Sequence, residues 1–237
     1  GPTLDGLRLV HLSDLHLGPL ANRAALRDAL VRVSAETPDL VVVTGDIADS
    51  PATDLASWLP ELDRVSARHG VFAILGNHDA RLGHAEMAAA LRTHTHWRIL
   101  RDETVLLEID GSQLALIGLE DRPTPRESDA LPGLATALPD GVPVIVLAHH
   151  PNVFRAARRA RLPLTLAGHT HGGQVALPGL PRVNAARVLM TPFDAGTFVE
   201  GGCALHVSRG LGTSGQRLRI GVPREITVIT LRAPAAR

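Results

Sequence analysis

Asp14, His16, Asp46, Asn77, His78, His149, His150, His169 and His171 are side chains that bind metal ions or move protons, and each stands just beyond a short apolar run. Leu7 to Leu12 leads into Ser13-Asp14, Leu40 to Val43 into Thr44-Gly45-Asp46, and Val71 to Leu75 into Gly76-Asn77-His78. Val144 to Ala148 leads into His149-His150, and Leu162 to Ala167 into Gly168-His169. A lone histidine is more often a hydrogen-bonded structural residue than a ligand. Ligand-type residues at the ends of five successive runs are not explained that way. Oxygen and imidazole donors together suit Mn, Fe, Zn, Co or Ni better than Ca. Two such ions lying close together can share one carboxylate.

The runs themselves say how these groups are held. Apolar at every position, they read as strands buried on both faces, and sites in α/β sheets form where loops leave the carboxyl ends of strands. Gly45, Gly76 and Gly168 stand where a strand breaks into a ligand-bearing loop, and a missing Cβ permits a sharp turn and a close approach. Helical patterns lie between the strands. Leu26, Leu30 and Val33 share a face after the N-cap candidate Asn22, and Leu55, Trp58, Leu59, Leu62 and Val65 repeat at helical spacing, with Pro60 a start or kink. Later, Asp110-Gly111 and Gly201-Gly202 predict two hairpins, and Glu225 to Leu231 a last strand. The expected fold is α/β, a four-layer α/β/β/α sandwich with two mixed sheets. Residues 1–237 hold no linker, repeat or low-complexity tract, so one domain is expected.

Composition narrows the function. Apolar residues are 45% and charged ones 20%, the profile of a folding soluble chain. Lys+Arg and Asp+Glu are 24 each, every base is arginine, and aromatics are 3% with no tyrosine. A nuclease would want a basic groove and stacking platforms, so no specific nucleic acid is expected as partner. The single cysteine, Cys203, excludes an internal disulfide and a cysteine-based zinc site. No run of eighteen uncharged apolar residues occurs, which predicts a location in the cytoplasm or peripheral at an inner membrane. Gly1-Pro2 reads as a cleavage scar, which would put a natural segment upstream.

Asp14-Leu15-His16, Gly45-Asp46, Gly76-Asn77-His78-Asp79, His149-His150 and Gly168-His169-Thr170-His171 resemble, in order, the five motifs of the calcineurin-like metallophosphoesterases. The resemblance runs from about Leu7 to Leu231. It implies two divalent metal ions (Mn, Fe, Zn, Co or Ni), one held by Asp14, His16 and His171, the other by Asn77, His149 and His169, with Asp46 bridging. A hydroxide shared by the ions would attack phosphorus, and His78 would protonate the leaving alkoxide while Asp79 orients its other nitrogen. Gly168 to Gln174 (GHTHGGQ), Ser208 to Ser214 (SRGLGTS) and Pro223 to Leu231 are similar to a bacterial, membrane-associated branch that includes relatives of the lipid A pathway enzyme cleaving UDP-diacylglucosamine. The substrate implied is a small-molecule or lipid phosphoester, a phosphodiester or pyrophosphate of lipid or nucleotide type, with peripheral membrane contact. Alternatives are a non-catalytic scaffold on the same fold, a cyclic-nucleotide phosphodiesterase and a protein phosphatase.

Other segments are read more plainly. His150 is expected to pack or to orient its loop, His11 to be core or at a sheet edge, and His69, His84, His94, His96 and His206 to lie at the surface or in packing. Glu120 to Asp129 reads as a solvated loop stiffened by Pro123 and Pro125; the alternative is that Arg122 or Arg126 reaches a substrate phosphate. Leu177 to Phe193, apolar and rich in proline, directly follows the last ligand loop and is expected to influence substrate choice.

Overall fold

Strands that are apolar at every position must lie between two other layers, and in this chain they do. The structure, a computed structural model, describes residues 4–19, 21–121, 129–177, 180–215 and 217–233. In chain order the elements are β1 (Arg8–Leu12), α1 (Arg23–Ala35), β2 (Leu40–Thr44), α2 (Leu59–Leu62), β3 (Val71–Ile74), α3 (His84–His94), β4 (Arg98–Ile99), β5 (Glu103–Ile109), β6 (Ser112–Gly118), α4 (Leu131–Thr136), β7 (Val144–Leu147), α5 (Phe154–Arg159), β8 (Leu164–Ala167), β9 (Ala176–Leu177), β10 (Leu180–Asn184), α6 (Ala185–Leu189), β11 (Gly196–Glu200), β12 (Cys203–Val207) and β13 (Thr227–Thr230).

One sheet has the order β13-β1-β2-β3-β4, the other β11-β12-β8-β7-β6-β5, and β9 and β10 form a separate ribbon. β1 to β4 are parallel with β13 antiparallel at the edge. β6, β7, β8 and β12 are parallel, flanked by antiparallel β5 and β11. Alternation along each strand splits its side chains between two cores. Leu9, Leu40, Val42 and Phe72 meet Leu116, Ile145, Leu147 and Leu166 between the sheets. On the other face, Val10, Val41 and Val43 pack with Leu26, Leu30, Val33 and Met87 of the helices, while Ile117 and Val146 pack with Leu131, Val153 and Ala157. The result is the expected α/β/β/α sandwich of two mixed sheets.

Local chemistry explains the edges of the elements. Asn22 caps α1, its Oδ1 accepting from Ala25 N at 3.0 Å. Asp110 (φ 47°) with Gly111 (φ 82°), and Gly201 (φ 58°) with Gly202 (φ 80°), make the two-residue left-handed turns that fit strand twist. The helix expected through Leu55 to Val65 forms only a 3-10 turn, Leu55–Ser57, and the single turn α2. Pro60 lacks an N–H and sits in the first turn of α2, so the pattern restarts there instead of running through. Trp58, Leu59, Leu62 and Val65 are buried nonetheless, because burial follows the apolar face and not the continuity of the helix.

The parallel strands of both sheets end at one edge of the sandwich, and backbone bonds stitch their loops together. Asp14 N donates to Gly45 O at 3.0 Å, His16 N to Asp46 O at 3.0 Å, Gly168 N to His149 O at 3.1 Å, and Leu211 N to Ser13 O at 3.1 Å. Among the described residues, no helix is long and apolar enough to cross a membrane.

Candidate metal centre

The loops beyond the strands hold a backbone that most side chains avoid. Asp14 (φ 52°), His16 (φ 45°), Asp46 (φ 51°), His169 (φ 71°) and His171 (φ 52°) are all left-handed. Non-glycine residues enter that region at a cost, and such outliers collect at functional sites. Two glycines make room for them. A Cβ on Gly45, itself at φ 88°, would stand 2.7 Å from His149 Nδ1, and one on Gly76 would strike the Asp46 carboxylate.

The side chains so aimed form two groups. His16 Nε2 lies 2.9 Å from His171 Nε2, and Asp14 Oδ1 lies 3.4 Å from His171 Nε2. Asn77 Oδ1 lies 3.1 Å from His149 Nε2 and 3.0 Å from His169 Nδ1. Asp46 Oδ2 stands between the groups, 3.5 Å from His16 Nε2 and 3.3 Å from His149 Nε2. All seven residues expected as ligands are thus brought together, with Asp14, His16, Asp46, His149 and His171 buried.

The donor set suits divalent ions. His149 Nδ1 is 2.7 Å from Thr44 O and His16 Nδ1 is 3.1 Å from Asp49 Oδ1. Both rings therefore donate outward from Nδ1, which turns each Nε2 toward the centre. Burial holds His16 and His171 down at about 4, and His169 at about 2, so these rings are neutral near pH 7. Burial also pulls His149 down, but the Asp46 carboxylate outweighs it and holds that ring above the ordinary imidazole range. Asp46 is correspondingly held below the usual carboxylate range by His149 and His16, against the effect of burial.

His78 and Asp79 part company. His78 Nδ1 is 2.6 Å from the backbone O of Asp49 and its Nε2 is 3.2 Å from Ser214 Oγ. Asp79 does not orient this ring, contrary to the sequence expectation. Its carboxylate is fully buried and accepts from Ala48 N (2.8 Å), Gly76 N (2.9 Å) and Ile47 N (3.2 Å). Asp79 therefore ties the Asp46 loop to the Asn77 loop. The backbone of Asp49 occupies the place expected for it.

Three residues missed in the sequence complete the surroundings. Asp49 touches both His16 and His78; its one signal was a second acid in the Asp46 loop. Ser214 faces His78 from the SRGLGTS segment, which had stood only as part of a resemblance. Arg219 donates to the carbonyls of Arg209 (2.8 Å), Gly210 (3.2 Å) and Gly212, and its Nη2 lies 3.3 Å from His171 Nδ1. His150 stacks on His169 with centroids 3.7 Å apart and faces Asp121 Oδ1 at 3.4 Å, a packing position. His84, expected at the surface or in packing, bonds Gly76 O at 3.2 Å and Glu120 at 3.0 Å, bracing the Asn77 loop. His11 is core, fully buried on Thr44 Oγ1 at 2.8 Å.

Arg122 and Arg126 lie outside the described residues. Within Leu177 to Phe193, Ala186, Leu189 and Met190 line a cavity of about 280 Å³ that also holds Asp46, Asn77, His78, His169 and His171. That segment does emerge beside the centre, and it leaves Val188 77% and Leu189 80% exposed.

Comparison with known proteins places this geometry. A profile of the calcineurin-like phosphoesterase family matches residues 7–173. A transmembrane protein with metallophosphoesterase domain from Bos taurus is 33% identical, over 98% of this chain and 54% of that protein. The uncharacterized metallophosphoesterase Cj0846 of Campylobacter jejuni is 31% identical over 95% of this chain and 59% of its own length. YkuE of Bacillus subtilis, also an uncharacterized metallophosphoesterase, is 30% identical over 97% and 80%. The chain thus spans little more than half the length of the first two relatives. Among solved structures, a dimetal phosphatase from Danio rerio superposes with a TM-score of 0.54 at 13% identity, over 96% of this chain and 93% of that one, a likeness of fold. Motifs, sandwich and sequence relatives agree, and the chain belongs to the calcineurin-like phosphoesterase family.

Proposed function

We propose that this chain, as one domain over residues 1–237, hydrolyses phosphoesters with two divalent ions, Asp14, His16 and His171 holding one, Asn77, His149 and His169 the other, and Asp46 both. The observation that carries this is the place of Asp46 Oδ2, within 3.5 Å of a nitrogen from each group. Bound there, two ions of the Mn, Fe, Zn, Co or Ni class supply Lewis acidity toward phosphoryl oxygens and lower the pKa of water. The test is Asp46→Asn, since an amide cannot neutralise two cations. Elemental analysis should show metal lost from both positions. Two retained equivalents would remove Asp46 as the bridge.

His78 is proposed as the acid. Its Nδ1 faces a carbonyl, which only accepts, so Nδ1 carries a hydrogen and Nε2 is the nitrogen that gives and regains the mobile proton. As water adds to phosphorus, the bond to the leaving oxygen breaks and the Nε2 proton passes to that oxygen. For the substrate, a phosphodiester or pyrophosphate bond in a lipid or nucleotide-type molecule is favoured by the balanced charge of the chain and the apolar residues that α6 brings to the cavity. Val188, Leu189 and Met190, exposed together at the end of α6, suit a peripheral membrane contact beside the centre.

A further inference from the structure

A second, wider cavity lies beside the metal centre and not over it. It is a trough of about 640 Å³, within the range that holds a drug-sized ligand. Its cause is architectural. β13 is the edge strand and Val228 pairs with Val10, whose side chain faces the helical layer. Ile226 and Val228 therefore face that layer too. α1 stands beside them, presenting Ala25 and Ala29, side chains too short to close the gap. Leu15 and Leu17 form the floor. Thirteen residues at about 1.5 Å each make α1, the wall of the trough, about 20 Å long.

The trough is continuous with the chemistry. Asp49, Thr213 and Arg217 line both it and a second space of about 310 Å³, which also holds His78 and Ser214. His78 and Ser214 in turn line the cavity over the metal centre. A proton donor must face the leaving oxygen, so the leaving group lies on the side of His78, and the space on that side opens into the trough. Charge grades along it. Arg217, Arg224 and Arg32 line it with no ion pair or hydrogen bond from their side chains among the described residues. Of the acids that line it, Glu36 is paired with Arg8, Asp49 faces His16 and His78, and Asp28 stands on the rim.

We infer that the trough between α1 and β13 is the leaving-group subsite, built for an amphiphilic alcohol whose anionic portion meets Arg217 and Arg224 and whose apolar chain lies along Ala25, Ala29, Ile226 and Val228. This rests on the proposed role of His78 in a metal-dependent hydrolysis. The bond that breaks joins phosphorus to the oxygen of that amphiphile; water supplies the new bond to phosphorus, and the proton on His78 goes to the departing oxygen.

The probes are butyl, octyl and dodecyl phosphate, below their micellar concentrations, with two readouts: calorimetric Kd on the metal-free protein and KM for phosphate release with added manganese. Each methylene covered is worth about fourfold in affinity, so both constants should fall by about tenfold or more from butyl to octyl. Ala25→Trp, which fills the trough, should flatten the series, while Val31→Ser, exposed elsewhere on α1, should leave it steep. If Ala25→Trp does not fold, Val228→Trp from the opposite wall makes the same test. A wild-type series with no dependence on chain length overturns the subsite. So does a dependence that survives both fillers, or one abolished by Leu189→Ser with Met190→Ser instead. Absence of metal-dependent hydrolysis of bis-p-nitrophenyl phosphate by the wild type would overturn the proposed function alone, and the calorimetric series would still decide the trough.

Discussion

Five of the residues proposed as metal ligands have left-handed backbone, each costing about 1–3 kcal/mol, and the loops around them hold that conformation in place. Asp79 shows how. Three backbone N–H groups converge on its buried carboxylate, fixing the Asp46 and Asn77 loops relative to each other. Burial, with Asp46 nearby, pushes that carboxyl up to about 6 even so. At this scale the sharpest prediction concerns His78. His78→Ala should bind metal normally and lose about a hundredfold to ten-thousandfold in turnover of alkyl esters. The loss should be smaller on nitrophenyl esters, whose leaving group departs with little protonation. Equal losses on both would argue against proton delivery.

At the scale of elements, parallel strands aim several loops at one edge, and short distances between strand ends do the rest. β1, β2, β3, β7 and β8 each lead into one loop that bears proposed ligands, so no single element holds either group of donors. α6 lies outside this frame and has another consequence. An apolar helix end that is largely exposed beside a catalytic cavity is stable in water only at some cost, and a lipid surface would relieve it. Leu189→Ser with Met190→Ser should therefore weaken co-sedimentation with phospholipid vesicles by about tenfold or more. Undiminished vesicle binding would reduce α6 to a packed cap.

For the whole molecule, the buried imidazoles set the response to acid. His11 lies in the space between the sheets, and burial, reinforced by His206, lowers it to about 3 despite Glu225 nearby. Unfolded, it would titrate near 6.5. Below that value the unfolded chain binds a proton that the folded chain refuses, so stability should fall as pH drops from about 6.5 toward 3. One such group contributes a slope of about 1.4 kcal/mol per pH unit. Urea midpoints of the metal-free protein across that range should show it, and His11→Gln should make the slope shallower by up to that amount. An unchanged slope would mean that His11 is protonated in the folded state.

The sequence alone determined the layers, the ligand types and their distribution over the strand ends, because an apolar run closed by a ligand residue carries both burial and position in one short pattern. Asp14, His16, Asp46, Asn77, His149, His169 and His171 were legible for that reason. Only the tertiary structure decided what approaches them from elsewhere in the chain. Asp49 rather than Asp79 serves His78 because the Asp46 loop folds across the Asn77 loop, a contact between residues 29 apart. Ser214 and Arg219 enter from the far end of the chain, through pairing that no local spacing encodes. The trough is decided in the same way: short side chains on α1 and an edge position for β13 are each ordinary in sequence, and only their juxtaposition leaves space between them.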